Sequence, residues 1–180
     1  MTAWLADQLE NLETPLDFEL LAGGHSNLTY RVTDAAANTY VLRRPPLGHV
    51  LQSAHDMGRE HKIIFALQGS SVPVATTVGL CADDSVNDAP FYVMNYVAGP
   101  VLHNNEAAAA LSEVDRGALG LHVIDVLAVL HQIDPDAVGL GDLGRKEDYL
   151  QRQMKRWVTQ WDATKTNEIP AMDESTRLLA

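Results

Sequence analysis

The chain has 180 residues, of which 46% are hydrophobic and 21% are charged, and this composition is typical of a globular protein with a substantial core. Its net charge of −11 argues against nucleic acid as a partner, because phosphate backbones are bound mainly by Lys and Arg. The N-terminal segment lacks the basic and apolar regions of a signal peptide, and no apolar run is long enough to span a membrane. The single cysteine, Cys81, cannot form an internal disulfide. We therefore expect a cytoplasmic protein.

The first 97 residues alternate β-rich segments with turn residues. Strands are predicted at 18–22, 28–33, 39–44, 76–81 and 91–97. A helix is predicted within residues 1–15, where Pro15 ends it, and an amphipathic helix is predicted at 54–68, where Ser53 and Asp56 resemble a capping box. The pattern predicts an α+β fold in which a small antiparallel sheet of five strands is accompanied by one main helix.

The pattern changes after the break at Gly99 and Pro100. Helices are predicted from Ser112 to the residue before Pro135, at 149–161 and at 172–180. We therefore divide the chain into a lobe at residues 1–97 and a helical part at residues 98–180. Because the last helical pattern stops abruptly, we interpret the chain as a fragment or a shortened product.

A glycine-rich turn, Gly23-Gly24-His25-Ser26-Asn27, connects the first two predicted strands. Glycines in such a turn let backbone N–H groups approach phosphate oxygens, because no Cβ atom stands in the way. A hairpin turn of this length also uses Gly, Ser and Asn for its own geometry. The turn therefore indicates a phosphate site only together with further residues.

Glu60 is the unusual residue of the predicted helix at 54–68, because it falls on the same stripe as Met57, Ile64 and Leu67. A carboxylate on an apolar stripe requires a cationic partner, since burying an unpaired charge is costly. The third strand offers Arg43 and Arg44 on opposite faces. We expect one of them to meet Glu60 and the other to reach solvent, an arrangement that kinase-like folds use around ATP phosphates. A purely structural ion pair is the alternative.

Five segments resemble, in this order, segments of the aminoglycoside phosphotransferase and choline kinase family: GGHSNLTYRV, TYVLRRPP, GREHKIIFAL, FYVMNYVAG and LAVLHQIDP. They are similar to the phosphate loop, the third strand, helix C, the hinge and the helix end that precedes the catalytic segment. RQMKRWVTQWDATKT at 152–166 resembles the subgroup found beside, or fused to, acyl-CoA dehydrogenases. The resemblance runs from Phe18 to the end of the chain and implies a protein-kinase-like fold whose N-lobe is followed by the first helices of a helical C-lobe.

The resemblance implies a set of ATP-binding positions: Gly23, Gly24, His25, Ser26, Asn27, Arg43, Glu60, Met94, Asn95, Tyr96 and Val97. The glycine-rich turn would cover the phosphates, Glu60 would orient a cation, and the hinge backbone would face adenine. Arg43 stands where kinases usually have Lys, and because the two side chains bind phosphate differently, the choice between Arg43 and Arg44 stays open.

The chain contains no His-Gly-Asp segment with a downstream Asn and no later metal-binding Asp, which supply the base and hold magnesium in this family. We therefore expect no catalytic residue and no metal ligand in these 180 residues, and an inactive chain on its own. The resemblance implies a parent kinase that uses ATP and Mg²⁺ to phosphorylate a small-molecule hydroxyl, with a hydroxyacyl-CoA or hydroxy acid ahead of an aminoglycoside or choline. It also implies a functional link to an acyl-CoA dehydrogenase. The alternatives are a non-catalytic nucleotide-binding or protein-interaction module and a plain structural domain.

Overall fold

The computed structural model describes residues 1–21, 27–46 and 56–179. The chain divides into two compact units, Met1–Gly141 and Asp142–Ala180. The first unit contains the sheet, and the second contains the last two helices. No helix in the described part of the chain is both long enough and apolar enough to cross a membrane.

The first unit is built on a five-stranded antiparallel sheet with the spatial order β1-β2-β3-β5-β4. Its strands are β1 (Asp17–Leu20), β2 (Leu28–Thr33), β3 (Thr39–Arg44), β4 (Thr77–Cys81) and β5 (Phe91–Asn95). The predicted α+β class and the five strands are confirmed, and β2 and β3 have the predicted bounds. The strand β5 ends two residues earlier than predicted.

One face of the sheet forms the hydrophobic core. Alternation along the strands places Val32, Leu42 and Val93 on this face, and each is at most 1% exposed. The N-terminal helix α1 (Thr2–Gln8) covers the face through Leu5, which is fully buried. Leu5 thereby joins Val32, Leu42 and Val93 in one cluster of buried side chains on this face.

Helix α1 is shorter than predicted and docks closely on the sheet. It ends at Gln8, because the next residue, Leu9, adopts an extended conformation. Trp4 packs edge-on against Phe91 with ring centroids 4.9 Å apart. Gly79 in β4 permits this approach, because a Cβ atom there would lie 3.3 Å from the Trp4 ring.

The helix α2 (Met57–Leu67) packs against β4 and β5 and buries Met57 and Leu67. It begins three residues later than predicted, because Asp56 is the N-cap and its carboxylate accepts a hydrogen bond from the Arg59 N–H at 2.9 Å. The predicted capping residue, Ser53, lies outside the described residues.

Two helices follow the sheet within the first unit, α3 (Asn105–Ala109) and α4 (Glu113–Gln132). The helix α4 begins one residue after its predicted start at Ser112, because Ser112 is the N-cap and its hydroxyl accepts a hydrogen bond from the Asp115 N–H at 3.1 Å. Apolar side chains of α4 are exposed around the helix: Val114, Leu119, Leu121, Val123, Ile124, Leu127 and Leu130. The second unit consists of α5 (Tyr149–Thr164) and α6 (Pro170–Leu179).

Candidate functional site

A carboxylate and a guanidinium meet where α2 crosses the sheet. Glu60 Oε2 lies 3.1 Å from Arg43 Nε, and each side chain is about one-third exposed. The Nε hydrogen is not directed at the oxygen, so this contact is an ion pair rather than a well-aligned hydrogen bond. The sequence did not decide whether Arg43 or Arg44 contacts Glu60. In the structure, Arg43 makes this contact.

Two further side chains hold the Glu60 carboxylate. The Tyr92 hydroxyl donates a hydrogen bond to Oε2 at 3.1 Å, and the Asn27 amide donates to Oε1 at 2.7 Å. Both partners are buried, with exposures of 1% for Tyr92 and 7% for Asn27. We call Asn27, Arg43, Glu60 and Tyr92 the Glu60 cluster. Because both carboxylate oxygens are engaged, the orientation of Glu60 is fixed from three directions.

Burial raises the pKa of the Tyr92 hydroxyl far above its ordinary value, and the nearby Glu60 carboxylate raises it further, while Arg43 acts in the opposite direction. Tyr92 is therefore a protonated hydrogen-bond donor at every physiological pH. His61 lies beside it, edge-on to the Tyr92 ring and stacked on Phe65, and partial burial lowers the pKa of His61. The neutral form of His61 is favoured in this contact.

Asn27 connects the Glu60 cluster to the predicted phosphate turn. It is the residue immediately before β2, and its amide reaches across to α2. The other predicted residues of that turn, Gly23, Gly24, His25 and Ser26, lie outside the described residues. Of the predicted turn, the structure therefore places only Asn27, and it places Asn27 against Glu60.

The structure separates Arg44 from this site. Arg44 follows Arg43 in β3, so its side chain projects from the opposite face of the sheet, where it donates a hydrogen bond to Asn87 at 3.0 Å. The expectation that this arginine reaches solvent is wrong, because it is only 9% exposed. We had expected the face of the sheet opposite Glu60 to be open to solvent.

The predicted hinge residues occupy the end of β5 and the segment after it. Met94 is partly buried, and Asn95 donates its backbone N–H to the Thr76 carbonyl at 2.8 Å. The Tyr96 N–H donates to the Thr39 carbonyl at 3.3 Å, which ties the hinge to β3. Val97 is 71% exposed and has no main-chain hydrogen bond to another described residue.

Sequence reasoning did not identify Tyr92 as part of the site. The available signal was its position in β5, because Tyr92 lies directly opposite Arg43 in the register of β3 and β5. Residues that pair across two strands project from the same face of a sheet. The order of the strands was needed to see this, since β5 follows β3 by almost 50 residues and yet lies beside it.

The donor set of the Glu60 cluster fits a phosphate group. Arg43 uses Nε toward Glu60, and neither of its terminal nitrogens donates a hydrogen bond to another described residue. A guanidinium held in this way presents two donors to phosphate oxygens. Among the described residues, no group of three His, Cys, Asp or Glu side chains is arranged to hold a metal ion.

The sheet, the helix α2 and the ion pair between them form the N-lobe arrangement of the protein-kinase-like fold. Residues 17–180 match the model of the phosphotransferase enzyme family. The chain therefore belongs to this family. A crystal structure of a Ralstonia eutropha protein assigned to the aminoglycoside phosphotransferases superposes with a TM-score of 0.81 at 34% identity.

Two similar proteins carry acyl-CoA dehydrogenase names. Acyl-CoA dehydrogenase family member 10 of Mus musculus is 36% identical over 159 residues, which are 88% of this chain and 15% of the mouse protein. Acyl-CoA dehydrogenase family member 11 of Gallus gallus is 38% identical over 162 residues, which are 88% of this chain and 20% of that protein. The predicted resemblance to the dehydrogenase-associated subgroup is confirmed.

The chain is short relative to all these proteins. It is covered to 97% by the Ralstonia structure but spans only 50% of that chain, and it spans a still smaller share of the two dehydrogenase family members.

Proposed function

We propose that this chain is the nucleotide-binding part of an ATP- and Mg²⁺-dependent kinase that phosphorylates a hydroxyl group of a small molecule. The observation that carries the proposal is the Glu60 cluster, in which a carboxylate on α2 orients Arg43 on β3. In phosphoryl transfer, most catalysis is positioning and charge neutralisation, and a cation held in this way serves both.

Three further features support a nucleotide as the ligand. Asn27 is the last residue of the glycine-rich turn and contacts Glu60, so a phosphate bound by that turn would lie near Arg43. The Val97 N–H is available at the hinge for an adenine edge. The Asn95 carbonyl is the proposed second hinge contact, two residues before it.

The catalytic base and the magnesium ligands of the proposed reaction belong to a longer parent protein. Helix α4 supports this part of the proposal, because apolar residues such as Leu121, Val123 and Ile124 are more than half exposed on it. A helix that is apolar on all sides is normally buried by neighbouring elements. The chain spans only 50% of the Ralstonia protein, so the relative has a further half in which such neighbouring elements could lie.

We propose a hydroxyacyl-CoA or a related hydroxy acid as the acceptor class. The support is that two relatives are named acyl-CoA dehydrogenase family members. In each of them, the segment similar to this chain is a small part of the named protein. A panel of hydroxyacyl-CoA thioesters, free hydroxy acids, choline and an aminoglycoside, offered to the longer parent protein with ATP, tests this choice. Faster phosphorylation of choline or the aminoglycoside would contradict it.

Calorimetric titration of Mg-ATP into the 180-residue chain tests nucleotide binding, with Mg-GTP as the comparison. We expect saturable ATP binding with a dissociation constant of about 1 mM or tighter. Arg43→Met should weaken this binding about tenfold, and the matched variant Arg44→Met should not, because Arg44 lies on the other face of the sheet. Equal ATP affinity of the wild type and Arg43→Met would show that the Glu60 cluster is not part of the nucleotide site.

A non-catalytic nucleotide-binding or protein-interaction module is the second candidate, because the Glu60 cluster and the hinge would serve nucleotide binding without phosphoryl transfer as well. The DNA sequence of the parent gene beyond residue 180 distinguishes the two. A His-Gly-Asp segment within a few tens of codons supports the kinase, and a genuine stop codon supports the module.

A further inference from the structure

The face of the sheet opposite the Glu60 cluster contains a cavity of about 330 Å³. It is an open cavity between the start of α1 and the strands β1, β2 and β3, and Asn87, which follows a short 3-10 helix (Asp84–Val86), also lines it. The lining residues are Met1, Thr2, Phe18, Tyr30, Leu42, Arg44 and Asn87. Its volume lies in the range of cavities that hold small molecules.

The charge in this cavity is buried and only partly satisfied. Arg44 is 9% exposed, and it uses Nη1 toward the Asn87 side-chain oxygen at 3.0 Å and Nε toward the Pro45 carbonyl at 3.4 Å. Its Nη2 atom is buried and has no hydrogen-bond partner among the described residues. Arg44 also forms no ion pair with a described Asp or Glu. A guanidinium withdrawn from water in this way lacks the counter-charge that buried cations normally have.

A second unsatisfied donor belongs to the neighbouring residue. Because the Asn87 oxygen accepts from Arg44, the Asn87 amide nitrogen is left as a donor, and it is likewise buried without a partner among the described residues. Two residues that line the cavity, Arg44 and Asn87, therefore each contain a buried N–H group that requires an acceptor. Buried donors without acceptors are rare in native proteins and call for a ligand, an ion or water.

We propose that this cavity binds a small carboxylate with a short apolar tail. The carboxylate oxygens would accept from Arg44 Nη2 and Asn87 Nδ2 after the two side chains rotate toward the cavity, and a planar guanidinium is well suited to a carboxylate group. The tail would lie along Phe18, Tyr30 and Leu42, which supply the apolar part of the lining. This site is independent of the proposed kinase site, because Arg44 and Arg43 project from opposite faces of β3.

A ligand-observed NMR titration of sodium hexanoate with the 180-residue chain tests the proposal. Hexanol and hexylamine are the matched probes, since they keep the tail and change only the charged group. We expect saturable hexanoate binding with a dissociation constant on the order of 1 mM, and binding of the other two probes at least about tenfold weaker. Inorganic phosphate should also bind more weakly than hexanoate, because it has no tail.

Three variants locate the bound hexanoate. Asn87→Ala should weaken binding about tenfold by removing one donor, and Arg44→Met should abolish it while keeping the aliphatic packing. Arg43→Met is the control on the opposite face and should leave hexanoate binding unchanged. Circular dichroism of each variant verifies the fold, and Asn87→Ala keeps the test decisive if Arg44→Met does not fold.

Several results would overturn the proposal. These are no saturable hexanoate binding up to about 10 mM, hexanol binding as tight as hexanoate binding, or phosphate binding tighter than hexanoate binding. Loss of hexanoate binding in Arg43→Met, or competition with Mg-ATP, would place the carboxylate in the proposed nucleotide site instead. Retention of binding in both Asn87→Ala and Arg44→Met would exclude this cavity.

Discussion

The Tyr92 hydroxyl donates a hydrogen bond to Glu60 Oε2, the same oxygen atom that lies 3.1 Å from Arg43 Nε. A tyrosine from the centre of the sheet therefore fixes the carboxylate that positions the arginine. This contact links the hydrophobic packing of β5 to the orientation of a charged group at the proposed phosphate site.

Replacing Tyr92 by Phe should lower the free energy of unfolding by about 1 to 2 kcal/mol, because the ring is kept while a hydrogen bond to a charged group is lost. Urea unfolding measures this change. Tyr40→Phe is the matched control, since the Tyr40 hydroxyl has no hydrogen bond to another described residue. An equal loss in both variants would show that the Tyr92 hydroxyl does not act through Glu60.

Glu60→Ala should lower kcat/KM for ATP by about tenfold to a hundredfold in the longer parent protein, because Arg43 loses the group that orients it. Steady-state kinetics at varied ATP concentration measures the effect. The fold should persist, since Glu60 is about one-third exposed, and circular dichroism verifies this. Unchanged kinetics would contradict the role assigned to this residue.

Arg43→Met should reduce kinase activity of the parent protein more strongly than Arg44→Met, by about tenfold or more. The reason is that only Arg43 lies on the face of the sheet that carries Glu60. Parallel assays of the two variants provide the comparison. The reverse order would move the phosphate contact to Arg44.

Asp34 should make the stability of the first unit depend on acid pH. Its carboxylate accepts from the Asn38 side chain at 2.9 Å and the Asn38 N–H at 2.7 Å, and these bonds lower the pKa of Asp34 below its ordinary value of 3.8. In this pH range the unfolded chain binds more protons than the folded chain. The contribution of Asp34 to the free energy of unfolding is therefore present above pH 3.8 and disappears as the pH falls through the lowered pKa.

Urea unfolding of the wild type and of Asp34→Asn across this pH range tests whether the stabilisation by Asp34 decreases in acid. The stability difference between the two proteins should shrink as the pH falls. Asn38→Ala should remove much of the same pH dependence, because Asn38 is the main cause of the lowered pKa. A stability difference that grows in acid would contradict this assignment.

Gly79→Ala should destabilise the chain by about 1 kcal/mol, because the new Cβ atom would lie 3.3 Å from Trp4 and 2.9 Å from Gln8, both on α1. Gly117→Ala is the contrasting variant, since Gly117 lies in α4 with open space around it. It should stabilise α4 by about 0.5 to 1 kcal/mol through helix propensity. The melting temperature should therefore fall for Gly79→Ala and rise for Gly117→Ala. A rise for both variants would contradict the packing of α1 against Gly79.

Local rules in the sequence determined the elements whose causes are local. Alternating β-forming residues between turns gave the bounds of β2 and β3, and the Ser112 cap gave the start of α4. The stripe position of Glu60 was sufficient to predict a cationic partner in the third strand. The residues that determine a strand or a helix start are close together in sequence. The cationic partner of Glu60 follows from one physical requirement, that a charge on an apolar stripe be paired.

Tertiary structure decided which neighbours those elements have. The register of β3 with β5 places Tyr92 opposite Arg43, although almost 50 residues separate them in the chain. Arg44, which was expected at the surface, is instead a buried cation beside Asn87, a residue more than 40 positions away in the chain. Strand alternation fixes only that two adjacent side chains point to opposite faces, whereas the burial of each face depends on elements that pack from distant parts of the chain.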